Sequence, residues 1–220
     1  MSLAGTRIVV SAGPTFEDID PARFIGNRSS GKMGFALATA AAERGAEVVL
    51  VAGPVHLPTP EGVSRIDVRS AADMHQAVMA ALPASIYIGA AAVADFTPRA
   101  ASANKLKKQP GQDTLVLELV KTRDILAEVA AHAARPRLVV GFAAETDNIA
   151  DYARSKLVAK RLDLIVANRV GVAGSGFESD DNAMTAYWSG GERDFPPAPK
   201  LALAEGLVEL VAQRLKADAR

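Results

Sequence analysis

Apolar residues along this chain follow two alternating periods. Val63–Val68 alternates like a strand, and short, largely β-branched runs recur at Ile8–Ser11, Glu47–Ala52, Ile86–Gly89, Leu138–Phe142 and Leu164–Val166. They read as buried strands. Between them, apolar positions fall at helical spacing. Lys32–Arg44 presents Met33, Leu37, Ala40 and Ala41 with Ala36 beside them, and Gly45 stops it. Ala71–Leu82, capped by Ser70, presents Met74, Val78 and Ala81. Asp124–His132 and Ile149–Arg161 read as further helices, and Leu115–Leu119 as a further strand. Ala183–Trp188 and Arg193–Phe195, joined through Ser189-Gly190-Gly191, read as a hairpin. A closing helix over Lys200–Lys216 turns Leu203, Leu207, Leu210 and Val211 inward. Strands alternating with helices predict an α/β fold, a doubly wound, mainly parallel Rossmann-like sheet with a C-terminal antiparallel hairpin extension. The chain, 1–220, reads as a single domain with its sites at the strand C-terminal ends.

Two stretches break the alternation. The first strand leads into a long polar loop that ends in Gly26-Asn27-Arg28-Ser29-Ser30-Gly31-Lys32-Met33-Gly34. Glycines at the start of a helix let an anion approach backbone N–H groups and the positive end of the helix dipole. Gly26 to Lys32 satisfies G-x-x-x-x-G-K, but Met33 stands where a P-loop needs Ser or Thr, and the loop is too long. A Rossmann G-x-G-x-x-G is absent, and the second strand ends without an acidic residue for an NAD ribose. A lone Ser-Ser-Gly would be only a helix cap. Gly13, Arg23, Asn27 and Lys32 gathered around one βαβ crossover point to an anion site. The second break, Thr97–Gln112, has no core face and carries Lys105, Lys107 and Lys108. It reads as a mobile strap that could close over a polyphosphate, against the plainer reading of a solvated charge run.

Composition narrows the chemistry. The formal net charge is +0 over 220 residues, so no broad basic face advertises nucleic acid. There is no cysteine, which excludes disulfides, a thiolate nucleophile and zinc-thiolate sites. His56, His75 and His132 are scattered and read as surface residues. No apolar run is long enough to span a bilayer, and no signal-peptide pattern precedes the first strand, so a cytoplasmic location away from membranes is expected. Met1–Gly5 reads as an added leader or the end of a linker, and the chain is expected to be cut from something longer. Four clusters fall at or after strand ends: Gly13 with Arg23–Gly34, Gly89–Asp95, Phe142–Glu145 and Asn168 onward. Tyr152 and Lys156 match the Tyr-x-x-x-Lys of short-chain dehydrogenases without their glycine-rich turn. Tyr152 therefore reads as packing, and Lys156 with Lys160 as an anion clamp.

Ser11–Thr15 (SAGPT), Asp20–Gly34 (DPARFIGNRSSGKMG), Gly89–Phe96 (GAAAVADF), Lys105–Lys108 (KLKK), Val139–Thr146 (VVGFAAET) and Gly176–Ala183 (GFESDDNA) together resemble the phosphopantothenoylcysteine synthetases. Within them, they are most similar to the C-terminal half of the bacterial bifunctional coenzyme A flavoproteins. The resemblance implies a CTP-dependent ligase joining 4′-phosphopantothenate to L-cysteine through an acyl-cytidylate, with magnesium accompanying the CTP. It implies Asn27, Arg23 and Lys105 as catalytic residues. Ser29, Gly31 and Gly34 would hold phosphates, with Gly13 near them. Gly89, Ala90, Ala91 and Ala92 would offer main-chain groups to both substrates, and Asp95 would contact the nucleotide or the pantothenate arm. Asp124, Ile125 and Leu126, with Phe142, Lys156 and Lys160, would line the nucleotide pocket. Arg123 would join them, although it stands where related enzymes often carry proline. The family suggests a homodimer built near the Ala183–Phe195 hairpin and a native fusion to a flavin-dependent decarboxylase. No FMN is expected in this domain, and no protein-only metal site. The competing readings are a non-catalytic nucleotide-binding regulatory module and an NAD(P)-dependent reductase using Tyr152 and Lys156.

Overall fold

The computed structural model describes residues 1–107, 111, 113–145, 148–169 and 180–217. Along the chain run β1 (Arg7–Ala12), β2 (Phe16–Asp20), β3 (Arg23–Gly26), α1 (Lys32–Glu43), β4 (Glu47–Ala52), β5 (Val63–Asp67), α2 (Ala71–Ala80) and β6 (Ile86–Gly89). There follow β7 (Phe96–Pro98), β8 (Leu119–Lys121), α3 (Ile125–Ala131), β9 (Leu138–Glu145), α4 (Ile149–Ala159), β10 (Leu164–Arg169), β11 (Asp181–Trp188), β12 (Gly191–Pro199) and α5 (Lys200–Ala217). Eight strands form one sheet in the order β12-β11-β10-β9-β6-β1-β4-β5. The six from β10 to β5 are parallel, and β11 and β12 are antiparallel additions. The chain winds outward from β1 through β4 to β5, then from β6 through β9 to β10. The winding reverses between β1 and β6, where a doubly wound sheet opens a crevice.

Helices α1 and α5 cover one face, burying Leu37, Ala41, Leu207 and Val211 with Ile8, Leu50 and Ile88. Helices α2, α3 and α4 cover the other, burying Met74, Val78, Val129 and Leu157 with Val9, Val139 and Ile165. The two-sided burial explains why the strands read as continuous apolar runs. The buried stripe of α1 is wider than its periodicity predicts. Phe35 and Ala38 are buried while Met33 and Ala36 are only half-buried, because α5 packs along α1 beside the sheet. Gly34 lets α1 sit low on β1: a Cβ there would lie 2.4 Å from Ala12 Cβ.

The polar loop after β1 is not all loop. It contains the β2–β3 hairpin, braced by Phe16 stacked on Phe24 at 3.9 Å, with the Arg69 guanidinium over both rings. Its buried side chains include two carboxylates. Glu17 accepts from Ala71 N at 2.8 Å and so adds to the Ser70–Asp73 capping box of α2. Asp20 accepts from Ala22 N, Arg23 N, the Arg23 side chain and Leu106 N.

Four other expectations are corrected. The stretch expected to be irregular from Thr97 begins inside β7, which pairs with β8. That partner lies at Leu119–Lys121 instead of Leu115–Leu119, because Leu115 and Val116 are exposed beyond the end of the short ribbon. Tyr152 is not a packing residue: α4 buries Ala153 and Leu157, and Tyr152 points outward, 52% exposed. His75 is not on the surface: its imidazole, 12% exposed, lies between α2 and α3 with Nε2 2.9 Å from Glu128. The hairpin of β11 and β12 forms as expected and extends the sheet of its own chain. Its outer strand, the sheet edge, carries Pro196, Pro197 and Pro199.

Candidate functional site

Two adjoining cavities open over the C-terminal ends of β1, β6 and β9. They share Ala91, Val93, Asp95 and Phe142 as a common wall. The first, about 330 Å³, lies under the start of α1 and is lined by Asn27, Ser29 to Gly34, Ala90 to Val93, Lys156, Asn168, Asn182 and Lys200. Gly31 is the N-cap of α1 at φ 74°, a conformation that glycine adopts without strain. Gly31 has no side chain with which to cap α1, and no acidic residue stands in the first turn, which suits an anion at the positive end of the dipole. Asn27 Nδ2 donates to the carbonyls of Ala92 and Val93 at 3.2 and 3.1 Å, tying the glycine loop to the chain after β6. Ala92 N in turn donates to Gly13 O at 2.9 Å.

Basic side chains reach the first cavity from three elements: Lys32 begins α1, Lys156 lies on α4 and Lys200 begins α5. Lys32 Nζ donates to Asp180, whose carboxyl it holds below the usual range. Lys200 is only 7% exposed, and burial followed by the nearby Lys32 charge pushes its ammonium down, with Asp180 opposing. Asn168 Oδ1 is buried with no hydrogen-bond partner among the described residues, in the wall of the first cavity.

The second cavity, about 460 Å³, has a different make-up. Its floor is the buried pair Ser11 Oγ and Tyr87 Oη, 3.0 Å apart. Burial pushes the Tyr87 phenol up to about 12, against the Ser11 hydrogen bond, so it serves as a neutral hydrogen-bonding group. Ile125, Leu126 and Phe142 supply apolar walls. Gly141 keeps space there, since a Cβ would lie 2.7 Å from Leu126 Cδ2. Two of the three basic side chains at the rim are paired. Arg123 donates twice to Glu128, at 2.9 and 2.8 Å, and Lys160 Nζ lies 2.8 Å from Asp124. Asp124 also caps α3 through Ala127 N. Burial would raise its pKa, but the Lys160 contact and the backbone donors outweigh it and lower it.

Most residues singled out in the sequence meet here. Asn27, Ser29, Gly31, Gly34, Ala90, Ala92 and Lys156 line the first cavity. Gly89, Arg123, Asp124, Ile125, Leu126 and Lys160 line the second. Ala91, Asp95 and Phe142 line both. Gly13 lines neither and works as a buried support. Arg23 also stands apart, its guanidinium on Asp20 and Leu106 O. Lys105 is exposed next to that anchor, and Lys108 and Gly176–Ser179 lie outside the described residues. Tyr152 lines neither cavity although Lys156 lines the first, so the dehydrogenase-like pair is split.

The sequence reading missed Lys200, Asn182 and the Ser11–Tyr87 floor. One signal for Lys200 was present: a lysine directly after Pro199 starts a helix, where the dipole favours acids. Among the described residues no three His, Asp or Glu side chains gather to hold a metal, and no helix is long and apolar enough to cross a membrane.

Comparison with known proteins follows the same outline. A family model described as the DNA/pantothenate metabolism flavoprotein C-terminal domain matches residues 3–215. The coenzyme A biosynthesis bifunctional protein CoaBC of Vibrio cholerae is 53% identical over 214 residues, covering 97% of this chain and 54% of that protein. Its Escherichia coli K12 counterpart is 49% identical over 209 residues, covering 94% and 52%. The chain thus spans about half the length of the curated relatives it matches. A crystal structure of the C-terminal domain of a CoaBC protein superposes with a TM-score of 0.82 at 37% identity, covering 97% of both chains.

Proposed function

Because the chain belongs to the family of DNA/pantothenate metabolism flavoprotein C-terminal domains, we propose that it joins 4′-phosphopantothenate to L-cysteine at the expense of CTP, a ligation within coenzyme A biosynthesis. The observation that carries this reading is the shared wall: a cation-lined cavity meets an apolar, hydroxyl-floored one at Ala91, Asp95 and Phe142. A nucleoside triphosphate has the same two halves, and its α-phosphate would sit where they join. The pantothenate carboxylate forms a bond to that phosphorus, and the bond to the β-phosphate oxygen breaks, releasing pyrophosphate. The cysteine amine then bonds to the activated carbonyl carbon, CMP leaves with the acyl oxygen, and the amine gives up a proton. Joining two anions calls for donors and cations more than for a strong base.

In this reading the α1 start, with Ser29, Gly31 and Gly34, holds phosphates. Gly89 to Ala92 line the path of both substrates, and Asp95 faces the junction. Gly13 and Arg23 act from behind, one beneath the loop and one through the Asp20–Leu106 anchor of the lysine strap, which brings Lys105 over the phosphates. Arg123 to Leu126, with Lys160, frame the base, and CTP is used in preference to ATP. Magnesium arrives on the phosphates and offsets their charge, in keeping with Asp95 as the one carboxylate among the described residues of the first cavity. This domain carries no FMN. It works in the cytoplasm as a homodimer, its native chain continuing into a flavin-dependent decarboxylase. Sedimentation at micromolar concentration tests the dimer, and a fully active monomer would remove it.

Asn27→Asp is the sharpest test. A carboxylate at this position can no longer donate to the charge that develops as cysteine attacks, and it also faces the carbonyls of Ala92 and Val93. Loss of such a donor costs roughly a hundred- to a thousandfold in rate. Rapid quench with labelled CTP should show pyrophosphate released, acyl-cytidylate accumulating and little ligated product. Product formation at the wild-type rate would remove Asn27 from catalysis. A wild-type protein that released no pyrophosphate with phosphopantothenate and CTP would overturn the ligase.

A further inference from the structure

We infer that Lys200 is a direct ligand of the pyrophosphate portion of the nucleotide, holding it together with Lys32 between the converging N-terminal ends of α5 and α1. This rests on the ligase reading and adds to it a residue more than a hundred positions from the glycine loop.

The geometry is specific. Helices α1 and α5, of 12 and 18 residues, lie on the same sheet face, and the first residue of each lines the first cavity. Two positive dipole ends therefore meet at one place. Neither first turn contains an acidic residue. A lysine opening a helix is set against that helix's own dipole, and here it is also buried to 7% exposure and close to a second lysine. A multiply charged anion entering between the starts of α1 and α5 is attracted by both ammonium groups and by both helix dipoles. Asp180 links the two ends: Lys32 donates to its carboxylate, and Lys200 N donates to its carbonyl oxygen at 3.1 Å. An entering phosphate takes over the Lys32 ammonium from a carboxylate that is itself solvent-exposed. The lysines then meet the oxygens that gain charge as pyrophosphate departs.

The test is calorimetric binding of magnesium pyrophosphate and, separately, of CMP to the wild type, Lys200→Met and Lys200→Arg. Losing one charge-assisted hydrogen bond should weaken pyrophosphate binding by about ten- to a hundredfold in Lys200→Met. CMP affinity should stay within about twofold, since the CMP half engages the other cavity, and Lys200→Arg should retain most of the affinity. As a check needing no loss of the side chain, the carbon-13 resonance of the wild-type Lys200 Cε, identified by its disappearance in Lys200→Arg, should shift with pyrophosphate and not with CMP. Unchanged pyrophosphate affinity in Lys200→Met, or an unmoved Lys200 resonance, would overturn the inference and leave the ligase reading standing. A wild-type protein that made no ligated product would overturn both.

Discussion

The two cavities differ in how they treat charge. Each wall carries three basic side chains: Lys32, Lys156 and Lys200 in one, Lys121, Arg123 and Lys160 in the other. Among the described lining residues the first has one carboxylate, Asp95. The second has two, Asp95 and Asp124, and Glu128 stands behind Arg123 as a further partner. In the first, Asp180 stands on Lys32 from outside the lining and is itself exposed, so an anionic occupant can take its place. The second is already balanced and selects by shape, by its hydroxyl floor and by apolar walls. One crevice can thus hold both ends of a ligand whose halves have opposite solvation needs.

The largest effect that would break this contrast is expected from Gly34→Ala. Its Cβ would fall 2.4 Å from Ala12 Cβ and 3.1 Å from Ala12 Cα, so α1 must lift off β1. Overpacking of this kind costs about 1–3 kcal/mol. Chemical denaturation should show that loss, and calorimetry should show pyrophosphate binding weakened far more than CMP binding. Equal losses for both ligands would mean that the cavities are not independent.

A middle-sized effect is expected at the strap. The Arg23 side chain, with the backbone donors of Ala22, Leu106 and Arg23, holds the Asp20 carboxyl well below the usual carboxylate range against the cost of burial. A carboxylate lowered in the folded state contributes fully above its unfolded value near ~3.9, and that contribution is lost as pH falls through the folded value. Tryptic cleavage at Lys105 and Lys107 should therefore be severalfold faster in Asp20→Asn than in the wild type. By hydrogen exchange, the Leu106 amide should keep constant protection above about pH 5 and lose it progressively as pH falls from about 4 toward the folded value. With CTP and magnesium present, cleavage of the wild type should slow. Indifference to both the mutation and the ligand would make the strap a plain surface loop.

The smallest effect, and the one that sharpens the contrast, belongs to Lys160→Met. The Lys160–Asp124 pair is partly exposed, at 32% and 47%, so its loss should cost less than about 1 kcal/mol. Pyrophosphate affinity should not change by more than about twofold, although a lysine has been removed beside the crevice. A change as large as that in Lys200→Met would show that overall positive charge, rather than its placement, governs the site.

The sheet was legible because burial on both faces writes itself as apolar runs, and the glycine loop because it interrupts them. The β2–β3 hairpin was hidden for the opposite reason. Its buried Glu17 and Asp20 satisfy backbone donors, and buried acids read as solvent-facing in a polarity pattern. Leu115 and Val116 misled in reverse, being apolar yet exposed. Within the site, residues carried on compact motifs such as Asn27 to Gly34 could be found from the sequence. Lys200 could not be placed beside Lys32, because their meeting depends on α5 returning to the face that α1 occupies.

The outer strand of the sheet has a consequence for behaviour in concentrated solution. Along β12, Pro196, Pro197 and Pro199 offer no N–H to a neighbouring strand. A growing ladder of copies joined edge to edge would lose its bonds along that half of the strand. The same rings interrupt any stretch there that could template fibrils. That edge of the sheet is thus guarded against polymerisation by the amino acids that close its last strand.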